Sequence, residues 1–376
     1  MATSALSKVS TLLRPIAARR SIGPIGIDFG LESVHLVQFE SVNGASPTLR
    51  ARASVPIVLS REALLDDPAE LRAVLRKALS SDAFKGREAV VALPVGLFRT
   101  MSINYLSSPE KDDGAAVLRV MKDRLDGDLA DYVIDYLPVN SRSKNNERLA
   151  LVAVSEREPI VALLEALRRA GLTVDALEIG PVAIGRLVSA LAAENDSGNA
   201  LVINAGRDAS YLTLISGDDL LFDQQIRFGE NALVNQLAET LDLSGELARD
   251  LMMRGGIQPS HDAVASTIDE AGLGDTIAEI LKPEFLRLVD EIKRVCLYAA
   301  AETRGGAVNK VYLLGSLAHW PGADELLGNL ADMHVEKIQD PLQTFRTDEA
   351  HSGEAALSPE LAVATGLALR ESDHYG

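Results

Sequence analysis

The chain has 376 residues, 47% of them hydrophobic and 24% charged, an ordinary globular composition with enough apolar side chains for more than one core. Acidic residues number 54 against 37 basic ones, and the resulting charge of −17 excludes non-specific nucleic-acid binding, because such a field repels phosphate backbones. One cysteine (Cys296) excludes an internal disulfide and a thiolate zinc cage, six histidines without ligand spacing argue against a triad or zinc cluster, and no apolar run reaches the roughly 18 residues of a spanning helix. The expectation is a cytosolic protein without nucleic-acid partners.

Residues 1–21 carry no acid. Lys8, Arg14, Arg19 and Arg20 accompany Leu6, Val9, Leu12, Leu13 and Ile16 at helical spacing. A basic amphipathic stretch can lie on an anionic membrane. The favoured reading is a flexible leader, since so few apolar residues give only marginal membrane affinity. Its lack of acids also resembles a transit peptide, over too short a pattern to carry weight.

Ile25 to Gly30 reads as a buried strand ending in a glycine turn. Ser33 to Glu40 alternates, with Val34, Leu36 and Gln38 on one face and His35, Val37 and Phe39 on the other. A turn at Asn43-Gly44 leads to a strand over Thr48 to Ile57, a helix over Glu62 to Leu79 and a central strand over Ala89 to Leu93. Between Pro94 and Leu177 the pattern is strand, helix, strand, strand, helix, strand: Phe98 to Tyr105, Ala115 to Leu125, Tyr132 to Pro138, Leu149 to Val154, Glu158 to Ala170 and Val174 to Leu177. This predicts a compact α+β unit embedded in a larger α/β domain, with Asn140 to Glu147 as a hairpin loop and Lys111 to Asp128 as a solvated face.

The opening then repeats. Ala200 to Gly206 is a buried strand with a glycine turn, followed by strands over Ala209 to Ile215 and Leu220 to Arg227, a turn at Gly217-Asp218-Asp219 and a helix over Glu230 to Leu241. Aligning Asp28 with Asn204 pairs Ile27 with Ile203, Gly30 with Gly206, Glu32 with Asp208 and Leu36 with Leu212. One fixed offset for several residues predicts two similar α/β domains. Two facing turns could clamp phosphates with backbone N–H groups, and a carboxylate at a strand end can hold hydrated Mg²⁺. A third glycine turn runs from Val311 to Ser316; Trp320, opening the helix after it, reads as a packing residue. Cys296 lies in a helix from Glu284 to Glu302, with Leu288, Ile292, Ala299 and Ala300 at helical spacing, and reads as an inert thiol.

Several stretches in order carry a resemblance over Ile25 to Glu371: IGIDFGLESVHLVQFE, REAVVALP, RLALVAVSEREPIVALLEALRRAGLTVDALEIGPVAIGRLV, LVINAGRDASYLTLI, FGENALVNQLAETLDLSGELARDLMMRGG, VYLLGSLAHWPGADELL and ELAVATGLALRE. They resemble the actin-like ATPase superfamily, and within it the PilM family of type IV pilus assembly proteins, with the cell-division protein FtsA as a cousin. The resemblance implies an α/β, actin-like (duplicated RNase H-like) fold with an inserted α+β subdomain, 1C. It implies subdomain 1A over 22–93, 1C over 94–177, a return to 1A over 178–198, 2A over 199–227, 2B over 228–304, 2A again over 305–350 and a closing helix over 351–376.

The resemblance also assigns a nucleotide site. Asp28 takes the Mg²⁺-side carboxylate position; Gly30, Leu31, Glu32 and Ser33 form the first phosphate loop; Asn204, Gly206, Arg207 and Asp208 belong to the second. Glu246 and Arg249 match a pair facing ribose and adenine, and Gly315 and Ser316 stand where a glycine pair approaches adenosine. The departures point one way. His35 replaces a phosphate-binding lysine, Asn204 replaces the second aspartate, Ser316 narrows the adenosine approach, and Glu32 and Asp208 set a carboxylate in each loop. Phosphoryl transfer depends on positioning and charge stabilisation, so little or no hydrolysis is expected, with a relic cleft and weak binding of ATP and Mg²⁺ both open.

By resemblance the main role is that of a cytoplasmic adaptor, held at the inner membrane by the tail of a PilN-like bitopic protein in a groove between 1A and 1C, alongside other pilus platform proteins. The alternative is an active Mg-ATP-binding ATPase, either an FtsA-like filament former or a small-molecule kinase.

Overall fold

β1 (Arg20–Phe29) and β2 (Ser33–Val42) form an antiparallel hairpin around the first glycine turn, and β3 (Thr48–Pro56) pairs with β2 on its other side. β2 is buried on both faces: Val34 and Leu36 enter one core, Val37 and Phe39 another. Gln38 is buried without cost because its amide is satisfied. It donates to the carbonyls of Gly23 (2.9 Å) and Lys85 (2.7 Å) and accepts from the Lys85 N–H (2.9 Å).

The single helix expected over Glu62 to Leu79 is two, α1 (Arg61–Asp66) and α2 (Pro68–Ala78). Asp67 caps the second by accepting from the N–H groups of Ala69 and Glu70, and Pro68 sits where a missing N–H does no harm. β4 (Glu88–Ala92) then lies parallel to β1, with Ile27 beside Val91.

The chain next builds a separate three-stranded sheet from β5 (Arg99–Leu106), β6 (Tyr132–Val139) and β7 (Glu147–Glu156), in the order β5-β7-β6. The helix α3 (Asp113–Lys122) covers one face, with Val117 and Met121 against Ile103, Tyr105 and Val152. α4 (Arg157–Arg169) and β8 (Thr173–Glu178) were expected in this inserted unit, and the structure places them elsewhere. β8 pairs in parallel with β4, and Leu163, Ala166 and Leu167 share a core with Leu71 and Leu75. The inserted sheet therefore ends at Glu156, not at Leu177. A strand–helix–strand pattern does not say which sheet its last strand joins; here a crossover returns β8 beside β4.

After α5 (Gly180–Leu191), the second half runs β9 (Asn199–Ala205), β10 (Ser210–Ser216), β11 (Asp219–Ile226), α6 (Glu230–Leu241), α7 (Gly245–Gly255), α8 (Ile268–Glu302), β12 (Val308–Gly315), α9 (Ala323–Ala331), β13 (Val335–Lys337) and α10 (Ala362–Ala368). The order β11-β10-β9-β12-β13 repeats the first sheet's β3-β2-β1-β4-β8, so the duplication read from Asp28 and Asn204 exists in three dimensions. Trp320 is fully buried but does not open α9; it follows a short 3₁₀ helix, Ser316–His319. Cys296 is half-buried on α8, and burial pushes its thiol up, which keeps it protonated.

This computed structural model describes residues 20–42, 45–80, 83–107, 112–139, 146–191, 198–217, 219–257, 268–302, 306–346 and 358–370. Residues 1–19 of the leader, the turn at Asn43-Gly44, Asp218, most of the loop Asn140 to Glu147, and residues 351–357 and 371–376 of the closing segment lie outside them; Arg20 and Ser21, expected as the end of a flexible leader over 1–21, instead pair with Val42 and Ser41 as the start of β1.

α10 seats on the first half through backbone contact. A Cβ on Gly26 of β1 would stand 2.2 Å from the Ala364 carbonyl, and one on Gly366 of α10 would stand 1.9 Å from the Ala183 carbonyl of α5. Arg186 and Arg370 both pair with buried Glu178, and Arg186 also donates to the Gly366 carbonyl (2.6 Å). The inserted sheet leans on the second half: Val139 and Leu149 join the core of Leu221 and Ile226, and the Thr100 hydroxyl donates to the Asp223 carbonyl (3.4 Å). Burial pushes the Asp223 carboxyl up to about 6, against the hydrogen bond it accepts from the Thr213 hydroxyl (2.7 Å).

Gly366→Ala should lower stability by at least about 2 kcal/mol in thermal denaturation, because the added methyl can be housed only by moving α10 off α5. Asp223 gives a pH test. Its folded pKa lies above its unfolded value, so the folded state holds a proton the unfolded state releases, and stability falls as pH rises from about 4 to about 6. Asp223→Asn should therefore be more stable than the parent by about 2–3 kcal/mol at pH 8, with no gain at pH 4.

Candidate functional site

The two glycine turns face one another. Glu32, in the turn after β1, forms an ion pair with Arg207, in the turn after β9. Behind Arg207 the contacts continue into the second half. The Asn231 amide donates to Asp208 (2.9 Å), and Arg249 donates to Asn231 (2.9 Å) and to Glu230 (3.2 Å), which is buried. The carbonyls of Gly206 and Arg207 accept the first N–H groups of α6, from Glu230 (3.0 Å) and Asn231 (2.8 Å). The second turn is thus seated on a helix N-terminus, which leaves those donors already used.

The third turn closes on the second. Gly315 has φ 76°, and a Cβ there would stand 2.1 Å from the Ala205 carbonyl and 2.8 Å from Oδ1 of Asn204. Ser316 turns its hydroxyl onto the carbonyls of Ala205 (3.2 Å) and Gly206 (3.4 Å). Of the residues singled out from sequence, Gly30 to Ser33, Asn204 to Asp208, Gly315, Ser316 and Arg249 come together around this cleft. Leu31 is exposed at the tip of the first turn, and Glu246 is exposed on α7, outside the network of ion pairs.

Asp28 lies at the end of β1, opposite His35 on β2. Burial pushes its carboxyl above the ordinary carboxylate range, while the charges of His35 and Arg61 pull it back. His35 does not project as a lysine would. Its Nδ1 lies 3.0 Å from the Ser54 hydroxyl, and its Nε2 faces Gly30, 3.2 Å from where a Cβ would stand. Asn204, in the matching place of the second half, adds no second carboxylate. Among the described residues no three His, Cys, Asp or Glu side chains gather closely enough to hold a metal ion.

Two participants were missed in the sequence. Asn231 had a weak signal, as a polar side chain in the first turn of a helix that directly follows the hairpin. Arg61 had none, because its role depends on where α1 begins.

A second concavity runs along α4. A cavity of about 360 Å³ lies between α1, residues 94–97 and α4, with Leu65, Val95, Leu97, Pro159, Ala162 and Leu163 in its wall. A wider one of about 700 Å³ adjoins it at Ala162 and opens between α4 and the start of β6; Tyr132 and Val161 line it, with Asp131, Glu156, Glu158 and Glu165 around them. Arg157 ties the two sides together by donating to the carbonyls of Ala130 (2.7 Å) and Tyr132 (3.0 Å). Arg61 lines the smaller cavity and donates to the Val95 carbonyl (2.8 Å). This groove sits at the junction of the first sheet's helices with the inserted sheet.

The family model described as type IV pilus assembly protein PilM matches residues 26–372. Among solved structures, the chain is similar to one titled "PilM-PilN type IV pilus biogenesis complex", with 24% identity, a TM-score of 0.72 and coverage of 92% of this chain and 98% of the other. It is also similar to the ethanolamine utilization protein EutJ from Carboxydothermus hydrogenoformans, with 15% identity, a TM-score of 0.51 and coverage of 93% and 90%. Both likenesses show the fold. A comparison with curated proteins finds no match. With the duplicated sheets, the facing turns and a match over nearly its whole length, this actin-like chain belongs to the PilM family of type IV pilus assembly proteins.

Proposed function

We propose that the chain is an adaptor of the inner-membrane assembly platform, binding the cytoplasmic tail of a PilN-like bitopic protein in the groove along α4. The observation that carries this is the groove itself, a concavity with exposed Val95 and Val161 where the inserted sheet meets the first half. The similar structure titled as a complex of PilM with PilN supports a partner of that kind. An extended peptide fits such a groove through apolar anchors and main-chain hydrogen bonds. The carboxylates of Asp131, Glu156 and Glu158 on the wider side favour a tail with Lys or Arg, which cytoplasmic flanks of membrane spans carry in excess. The adaptor is held at the membrane through this partner. Among the described residues no helix is long and apolar enough to cross a membrane, and a charge of −17 disfavours an anionic bilayer. Other platform proteins would join on the remaining surface.

The interdomain cleft, in this reading, is degenerate. A catalysed transfer from Mg-ATP needs carboxylates for the metal and free cations for the phosphates. The counterpart of Asp28 in the second half is an amide, Asn204, and Arg207, the one cation of the two loops, pairs with Glu32. The residues present fit a catalytic Mg-nucleotide poorly, so no phosphoryl-transfer step is assigned to them.

A synthetic peptide of the partner's tail, titrated calorimetrically, should bind the full chain. Ala162→Trp should weaken that binding at least tenfold, since Ala162 is exposed in the groove floor and a large ring there fills the space without disturbing the core. Removing residues 1–19 should leave it unchanged; lost binding on that deletion would make the basic leader the attachment site. Phosphate release from Mg-ATP should stay at background, equally in the parent and in Asp28→Ala. Turnover abolished by that substitution would instead favour an active ATPase.

A further inference from the structure

We propose that the groove along α4 is coupled to the interdomain cleft through one path of contacts and chain, Arg207 to Glu32 to Ile57, along the chain to Arg61 and on to Val95, so that tail binding is tighter when the two glycine loops are bridged. The inference rests on the tail-binding reading above and names its regulation. Glu32 is the meeting point. Its carboxylate pairs with Arg207 of the other half, and its carbonyl accepts the Ile57 N–H (2.8 Å). Ile57 leads along the chain, through the exposed Val58 and Leu59, to Ser60, whose hydroxyl caps α1 by accepting from the Ala63 N–H (3.2 Å). Arg61, the first residue of α1, donates to the Val95 carbonyl (2.8 Å) with its side chain only 11% exposed. Val95 belongs to the groove wall.

Strand register brings the same parts together independently. β1 and β4 are parallel neighbours with Ile27 beside Val91, so the first glycine turn and residues 93–97 leave one sheet edge side by side. The charge of Arg61 acts both on Asp28 at the end of β1 and on Tyr211 of β10.

The two states are the bridged and unbridged loops. In the bridged state Glu32 is held from both sides, and the segment from Ile57 to Arg61 is fixed against Val95. When the pair breaks, Glu32 and that segment gain freedom, and the groove wall loses a support. Coupling of this kind is reciprocal, so an occupied groove would also favour the bridged cleft. Its size is bounded by the pair itself. An exposed ion pair changes a two-state ratio by roughly two- to fivefold, and tail affinity can change by no more than that.

Arg207 lines neither cavity, so substituting it touches the groove only through this route. In calorimetry with the tail peptide, Arg207→Ala should weaken binding two- to fivefold. The charge swap Glu32→Arg with Arg207→Glu should restore it. In an Arg61→Met background, Arg207→Ala should have no further effect. Hydrogen exchange without peptide supplies a second readout: the Leu97 N–H, bonded to the Pro94 carbonyl (3.0 Å), should exchange faster in Arg207→Ala than in the parent. If the parent binds the tail and Arg207→Ala binds it equally, the coupling is wrong and the adaptor reading stands. If the parent binds no tail, the adaptor reading fails, and exchange at Leu97 decides the coupling alone: unchanged exchange overturns it.

Discussion

The architecture depends on a place where three stretches of backbone touch with no side chain between them. α10 lies against β1 at Gly26 and against α5 at Gly366, and a single carbon at either glycine would meet a carbonyl at about 2 Å. That closeness lets a helix of seven residues tie the last segment of the chain to its first strand. Buried Glu178, paired with Arg186 and Arg370, locks the arrangement electrostatically. An ion pair in such a place is valuable for position as much as for energy, because either partner left alone would be a buried, uncompensated charge. The first sheet is then set against the second by one shared core, in which Val37 of β2, Ile184 and Leu187 of α5 and Ala364 of α10 pack with Val202, Ile215 and Leu314.

What faces across that cleft is the ion pair of Glu32 and Arg207, backed by polar contacts within the second half. Glu32 has Arg207, Asp208 has Asn231, and Glu230 and Asn231 share Arg249. A nucleotide phosphate entering here would compete for the only loop cation and would meet carboxylates. In the proposed reading the fold keeps the scaffold of an actin-like clamp, whose glycines its strand geometry demands, while its polar side chains are spent on each other. The distinctive surface lies elsewhere, along α4, where the inserted sheet and the first half leave a groove between them.

The inserted sheet owes its position to both halves. Its helix-covered face is its own core, built from Val117, Met121 and Tyr105. Its other face gives Val139 and Leu149 to the second half, and Arg157 pins the start of β6 to α4. It therefore touches both halves, the second through β11 and the first through α4.

Much of this was legible in the sequence, for physical reasons. The spacing of Asp28, Gly30 and Glu32 against Asn204, Gly206 and Asp208 revealed the duplication, because strand ends that must turn sharply require glycine at the same place each time. The hydrophobic periods located most strands, and the ordered motifs identified the family. Tertiary structure decided the rest. Whether α4 and β8 belonged to the inserted unit or to the first sheet could not be read, since a buried strand's pattern does not name its neighbours. The break at Asp67-Pro68 carried a local signal of its own, a capping residue before proline, which the helical period over Glu62 to Leu79 overrode. The pairing of Glu32 with Arg207, and the position of Arg61 against Val95, join residues 175 and 34 positions apart. Local propensity fixes neither contact, because the first exists only once the two sheets are packed together and the second only once α1 is seated beside the end of β4.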